Sequence, residues 1–458
     1  MKPEVEGLHD TYWTTDVATD EMAKRAISVL KLNNHFWMFH PIICLSVSLL
    51  WLYYFPWARI STDVLTVNTT WRVLWLMMIP YAIISFLGLA VPRIALSKAQ
   101  MDSRPVKRRY IRNFYIVNVT KGSNEEAVRS SYDAMKAFDK LHPAVKAIVL
   151  SDEPYSFEGT NNIVCPRLYK SPNEKAKHKA RALSYFAETM NLDEYDWVLH
   201  MDEESVIDPE SLRRCFDFIR YGSNDFGQGI IIYNRKWYWK SWLITVADAI
   251  RVGDDLSRFH FQATVFERPI VGVHGSFLLL NGKVEKEVGW DFGSLAEDFE
   301  FSHAAWEKGF TFGTIHGIVM EQSPSSLADF MKQRRRWYLG ISQIKGLYSL
   351  PAIMIKLWTS GLICLSVTIV NIAMSFLVDG SGSPLWLVTL SAFSVGVLVW
   401  LYIWGIIFQD LHHKTPWYMI IVHVLSAVVI QPIATIVEAA SICYAIRDAI
   451  MDFEVIKK

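Results

Sequence analysis

Three adjacent carboxylates, Asp202, Glu203 and Glu204, follow an apolar run at 197–201 in this chain of 458 residues. Asp202 and Glu204 are two residues apart, so a turn can bring both side chains to one cation. Hard carboxylate oxygens suit Mg²⁺ or Mn²⁺, ions that commonly bridge to substrate phosphates. A solvated acidic loop has the same composition, so the trio gains meaning only from what accompanies it. Asp152 and Glu153 follow another apolar run, at 145–150. Glu297 and Asp298 come after a glycine-containing stretch at 289–293. Asp298 has the chemistry of a general base for an attacking hydroxyl. The same pair also reads as the acidic first turn of a helix.

The basic and aromatic candidates lie elsewhere. Gln333, Arg336 and Trp337 are spaced i, i+3, i+4 and share a helix face. That face offers a guanidinium to phosphate and an indole to a sugar ring. The run Arg334-Arg335-Arg336 ahead of an apolar stretch is also an ordinary topology signal. Lys179 falls early in a helical pattern, as a phosphate contact or as part of a solvated face. Trp237, Trp239 and Trp242 suit either sugar stacking or anchoring at an interface.

These residues need elements to position them. Apolar runs at 114–119, 145–150, 197–201 and 229–233 read as short buried strands. The patterns at 123–141 and 175–190 read as helices between them. Such alternation predicts βαβ units and an α/β fold with a mostly parallel sheet. In these sheets ligands bind beyond the carboxyl ends of the strands, where Asp152 and Asp202 fall.

The remaining chain is strongly apolar. Hydrophobic residues make up 51% of the sequence and the formal net charge is zero, so no nucleic-acid partner is expected. Five cysteines lack metal-ligand spacing and predict neither a disulfide framework nor structural zinc. Apolar runs at 36–57, 71–91, 355–378, 385–408 and 417–444 are each long enough for a membrane helix. The last contains Pro432 and Glu438, so spanning, kinking and re-entry all stay open. Basic residues precede the first run (Lys24, Arg25, Lys31) and follow the second (Arg93, Lys98, Arg104), which predicts a cytosolic catalytic domain. The sequon Asn68-Thr69-Thr70 then falls in the lumen. The expected organisation is a cytosolic segment (1–35), a two-helix transmembrane hairpin (36–91) and a catalytic domain (92–324). Interfacial helices (325–350), further membrane helices (351–447) and a tail (448–458) follow.

The motifs occur in an order that resembles the family 2 inverting glycosyltransferases: Asp152, Asp202-x-Glu204, Gly275-Ser276, Glu297-Asp298, Glu321 with Pro324, then Gln333-x-x-Arg336-Trp337. The stretches His200-Met201-Asp202-Glu203-Glu204, Phe226-Gly227-Gln228-Gly229 and Ala296-Glu297-Asp298 are most similar to the egghead-type β-1,4-mannosyltransferases. This resemblance implies a GT-A-like fold and mannose transfer from GDP-mannose to glucosylceramide, a glycolipid in the bilayer. It implies an integral membrane protein of the Golgi or endoplasmic reticulum. Thr120, Asp152, Lys179, Asp202, Glu203, Gln333, Arg336 and Trp337 would bind the donor. Asp202 and Glu204 would hold the metal and Asp298 would be the base. Gly275, Ser276, Glu297 and Trp337 would bind the acceptor. Glu204 and Ala296 depart from the wider family, which has Asp and Thr there. A processive polysaccharide synthase using a UDP-sugar is the first alternative, and a non-catalytic membrane transporter or scaffold the second.

Overall fold

The computed structural model describes residues 20–54, 73, 76–93, 98–106, 110–122, 124–153, 155–344, 366, 369 and 383–447. Eight strands form one sheet: β1 (Asn113–Thr120), β2 (Val145–Asp152), β3 (Asn162–Cys165), β4 (Asp196–Asp202), β5 (Val206–Ile207), β6 (Phe226–Ile232), β7 (Leu278–Asn281) and β8 (Phe312–Met320). Their order is β3-β2-β1-β4-β7-β6-β8-β5. The pairs β1/β2, β1/β4, β2/β3 and β6/β8 are parallel. β7 lies antiparallel between β4 and β6, and β5 is antiparallel to β8. The sheet is therefore mixed and mostly parallel, as expected.

Alternation along β1 explains why helices cover both faces. Phe114 and Ile116 enter one core, while Tyr115, Val117 and Val119 enter the other. Each side chain buried this way contributes about 1.5–3 kcal/mol before entropy is counted. The register places Val119 opposite Asp202 and Thr120 opposite Ser151, so the ends of β1, β2 and β4 are level. Thr120, Asp152 and Asp202 thus gather at one edge.

The helices are α1 (Glu21–His35), α2 (Phe39–Tyr54), α3 (Ile79–Ala90), α4 (Lys98–Ser103), α5 (Glu125–Lys136), α6 (His178–Thr189) and α7 (Pro209–Tyr221). They continue as α8 (Trp242–Leu256), α9 (Arg258–Phe261), α10 (Gly282–Val288), α11 (Glu297–Glu307), α12 (Leu327–Gln343), α13 (Leu385–His412) and α14 (Trp417–Arg447). α7 has a clear start signal. Asp208 caps it by accepting from Glu210 and Ser211 N–H, and Pro209 opens its first turn. Leu212, Cys215, Phe216 and Ile219 then repeat at i, i+3, i+4, i+7 on its buried face.

Among the described residues, α13 and α14 are long and apolar enough to cross a membrane, and α1 and α2 form a pair bent by 65°. The chain is therefore membrane-associated. The apolar run at 355–378 and the sequon at 68–70 lie outside the described residues. α14 is one continuous helix through Pro432.

The apolar helices share a core with the sheet: Ile116 and Leu199 belong to the same buried cluster as Val397, Leu401 and Ile406 of α13. α13 packs on α2 and α8. A Cβ at Gly405 would stand 2.1 Å from the Ala249 carbonyl oxygen, so only glycine lets α13 approach α8 so closely. Tyr238 OH and Trp239 Nε1 donate to Asp410 at 2.6 and 2.9 Å, and the Trp239 ring stacks on His423 at 3.7 Å. Trp242 meets His423 edge-on. Trp239 and Trp242 therefore tie the segment after β6 to α13 and α14, a packing role that differs from both sugar stacking and membrane-interface anchoring.

Candidate active site

Strand exits build one wall of a single cavity. Thr120 ends β1, Asp152 ends β2 and Asp202 ends β4, and all three line it. The tight turn after β4 adds Glu203 and Glu204. Glu321, the residue after β8, closes the group. One carboxylate oxygen from each of Asp202, Glu204 and Glu321 lies within 4.8 Å of the others. Asp202 is partly exposed, whereas Glu204 and Glu321 are buried. Three hard oxygen donors, two withdrawn from water, fit Mg²⁺ or Mn²⁺.

The trio is held by its neighbours. Ser205 Oγ donates to Glu321 Oε1 at 3.1 Å, and Ser276 Oγ donates to Ser205 Oγ at 2.8 Å. Arg235 donates to the Glu204 carbonyl oxygen at 2.5 Å. Thr120 Oγ1 donates to Glu203 Oε2 at 2.5 Å and accepts from Gly122 N–H at 2.8 Å. Glu203 thus braces the turn instead of joining the acid cluster. Ligand-orienting contacts of this kind fix carboxylates before an ion binds.

Opposite stand Lys179, Glu297 and Asp298. Lys179 enters near the start of α6, and Glu297 and Asp298 open α11. Lys179 Nζ donates to Asp202 Oδ1 at 2.6 Å and lies 3.7 Å from Glu297 Oε1. Burial disfavours its charge, but Asp202, Glu297 and Asp298 outweigh that cost and raise its pKa. Burial pushes Glu297 and Asp298 above the usual carboxylate range, with Lys179 opposing the shift in both. Asp298 Oδ1 accepts from Phe299 N–H at 2.8 Å. A Cβ at Gly275 would stand 2.9 Å from both Asp298 Oδ2 and Lys179 Nζ, so the bare backbone there leaves room for both groups. His178 (φ 51°) and Phe277 (φ 56°) occupy the left-handed region beside Lys179 and Ser276. Strain of that kind concentrates where geometry is over-determined by function.

Asp152, paired with Arg181 at 3.0 Å, also lines the cavity, as do Ser276, Arg336 and Trp337. Gln333 does not line it. Its side chain is buried and accepts from Arg334 Nη1 at 2.8 Å, so it supports the wall from behind. The three indoles at 237, 239 and 242 are also absent from the wall.

Sequence reasoning missed several wall residues. In the sequence Glu321 stands out only within a motif, although it exits a strand just as Asp202 does. His274 and Arg251 gave no signal. Arg334 read as topology, and Glu438 as an unexplained acid in an apolar run.

The family model described as "Glycosyl transferase family group 2" matches residues 197–430, just over half of the chain. The chain is 26% identical over 416 residues to β-1,4-mannosyltransferase egh of Drosophila melanogaster, covering 88% of this chain and 90% of that protein. It is 33% identical over 280 residues to β-1,4-mannosyltransferase bre-3 of Caenorhabditis elegans, covering 58% and 60%. Among solved structures it is similar to the mannosyltransferase PcManGT from Pyrobaculum calidifontis in complex with GDP-Man and Mn²⁺, with TM-score 0.43, 10% identity, and coverage of 82% and 98%. The family model runs from β4 into α14, a span that includes Asp202, Glu204, Asp298, Glu321 and the whole of α12, and the chain belongs to glycosyl transferase family group 2.

Proposed function

We propose that the protein is an inverting β-1,4-mannosyltransferase that moves mannose from GDP-mannose to glucosylceramide. One observation carries the reading: the acid trio, the Lys179–Glu297–Asp298 group and the α12 face meet in one cavity that α14 also walls. Relatives that carry the β-1,4-mannosyltransferase name support the sugar and the linkage. GDP and glucosylceramide follow from the motif resemblance. The basic flanks support a site facing the cytosol, and the Golgi or the endoplasmic reticulum follows from the motif resemblance.

Asp202, Glu204 and Glu321 would hold Mg²⁺ or Mn²⁺, which when bound supplies positive charge to the diphosphate of the leaving nucleotide. Lys179 turns from Asp202 toward the donor phosphates, and Arg336 adds a second cation. Asp152 lies where the nucleoside enters. Trp337 offers its ring to the sugars, and Gly275, Ser276 and Glu297 border the acceptor. Asp298 takes the proton of the acceptor hydroxyl as that oxygen attacks the anomeric carbon and the bond to phosphate breaks.

Two outcomes are expected. Labelled GDP-mannose with glucosylceramide should give a product bearing one added mannose, and only with a divalent ion. A polymer formed from a UDP-sugar would instead favour the synthase alternative. Gly275→Ala should lower kcat/KM about tenfold to a hundredfold with unchanged thermal unfolding, because its Cβ displaces Asp298 or Lys179. Steady-state kinetics beside a melting curve would check this, and a wild-type rate would contradict it.

A further inference from the structure

Part of the cavity wall is made by helices instead of strands. Arg251 of α8, Arg334 of α12 and Glu438 of α14 all line it there. Arg251 Nη2 donates to Glu438 Oε1 at 2.5 Å, and Arg334 Nε lies 3.4 Å from the same oxygen. Arg334 Nη2 also donates to Asp248 Oδ1 at 2.5 Å. The side chains of Arg251 and Glu438 are 9% and 2% exposed, so water screens this pairing little. Both guanidinium groups stand over the Trp337 ring, with their central carbons 4.6 and 4.3 Å from its centroid.

Two converging guanidinium groups in a cavity wall are a natural phosphate receptor. Here that capacity is spent. Glu438 is shared by both arginines, and Asp248 takes up the other side of Arg334. An anionic headgroup arriving here would meet the Glu438 carboxylate in a poorly screened site, and like charges brought together there are strongly disfavoured. A sugar hydroxyl brings no such penalty. The acid is also costly to keep in an apolar helix unless it is paired, and its partners lie on the two helices that wall the site.

We infer that Glu438 is a specificity-determining residue: by neutralising Arg251 and Arg334 it makes this part of the cavity accept an uncharged headgroup and reject a lipid phosphate. The inference rests on the lipid-acceptor reading proposed above. Its test therefore measures binding, which needs no turnover.

Full-length protein in maltoside micelles is titrated with radiolabelled dodecyl phosphate. Glu438→Gln keeps the side-chain shape and removes the charge, and it should bind dodecyl phosphate about tenfold tighter than wild type. The double variant R251Q/E438Q removes one cation together with the acid and should return to the wild-type affinity. A purely structural role for Glu438 gives no such gain and reversal. Equal affinity in wild type and E438Q overturns the inference, as does a gain that persists in the double variant. Where E438Q does not fold, the wild type decides: dodecyl phosphate that binds as tightly as dodecyl glucoside overturns the inference. Wild-type protein that transfers no mannose to glucosylceramide would count against the proposed function, while the binding contrast would still judge Glu438.

Discussion

Asp298→Asn should lower kcat about a thousandfold while leaving the fold and donor affinity nearly intact. The asparagine carbonyl can still accept from Phe299 N–H, so the first turn of α11 keeps its contact. What disappears is the oxygen that faces Gly275 and the cavity, and with it the proton acceptor. Glu297 is an imperfect substitute, because it lies toward Lys179. The loss should therefore appear in kcat much more than in KM. The pH profile follows with a definite sign. A base works only when deprotonated, and burial raises Asp298 above its ordinary range near ~3.9. Activity should thus fall on acidification at a higher pH than a solvent-exposed aspartate would give. Steady-state rates across pH for wild type and variant would check both statements, and near-wild-type transfer by Asp298→Asn would remove the base assignment.

Glu321→Gln should weaken Mn²⁺ binding about a hundredfold, and Glu204→Gln should weaken it to the same degree. The sequence motif suggested two ligands, Asp202 and Glu204; the fold adds a third carboxylate, 117 positions beyond Glu204 and within 4.8 Å of it. Glu321 is buried and takes a hydrogen bond from Ser205, so its carboxylate is held ready. Ser205→Ala should then have a smaller effect, about tenfold, because it loosens one ligand without removing it. Manganese titration followed by electron paramagnetic resonance separates these cases without relying on turnover. Unchanged Mn²⁺ affinity in Glu321→Gln would return the site to two protein ligands.

Legibility in the sequence followed the range of the forces involved. The strands β1, β2 and β4 are mostly apolar, broken by Asn118, Lys146 and His200, so the sequence pattern alone places Asp152 and Asp202 at one sheet edge. In β8, Gly313, Thr314, His316 and Gly317 break the apolar character, and so local pattern does not mark Glu321 as a strand-exit acid. β7 is only four residues long and enters antiparallel, which local periodicity does not encode. Lys179 and Asp298 could be named from spacing and motif order. Their mutual position across Gly275 depends on the first turns of α6 and α11 meeting the segment before β7. Arg334 looked like a topology signal because its partners, Asp248 and Glu438, are distant in sequence. Trp239 suits sugar stacking and interface anchoring equally in the sequence, and its actual partners, Asp410 and His423, lie more than a hundred positions away. The continuity of α14 through Pro432 likewise rests on packing against α8 and α12, which no local rule supplies.

The central claim is a single displacement at one site, with Asp298 on the acceptor side and the acid trio on the donor side. The anomeric configuration of the product tests it most directly. With α-linked GDP-mannose as donor, nuclear magnetic resonance of the mannosylated glycolipid should show a β-mannosyl linkage formed from the first turnover. An α-linked product would require retention, and with it a mechanism that this arrangement of Asp298, Lys179 and Gly275 does not provide.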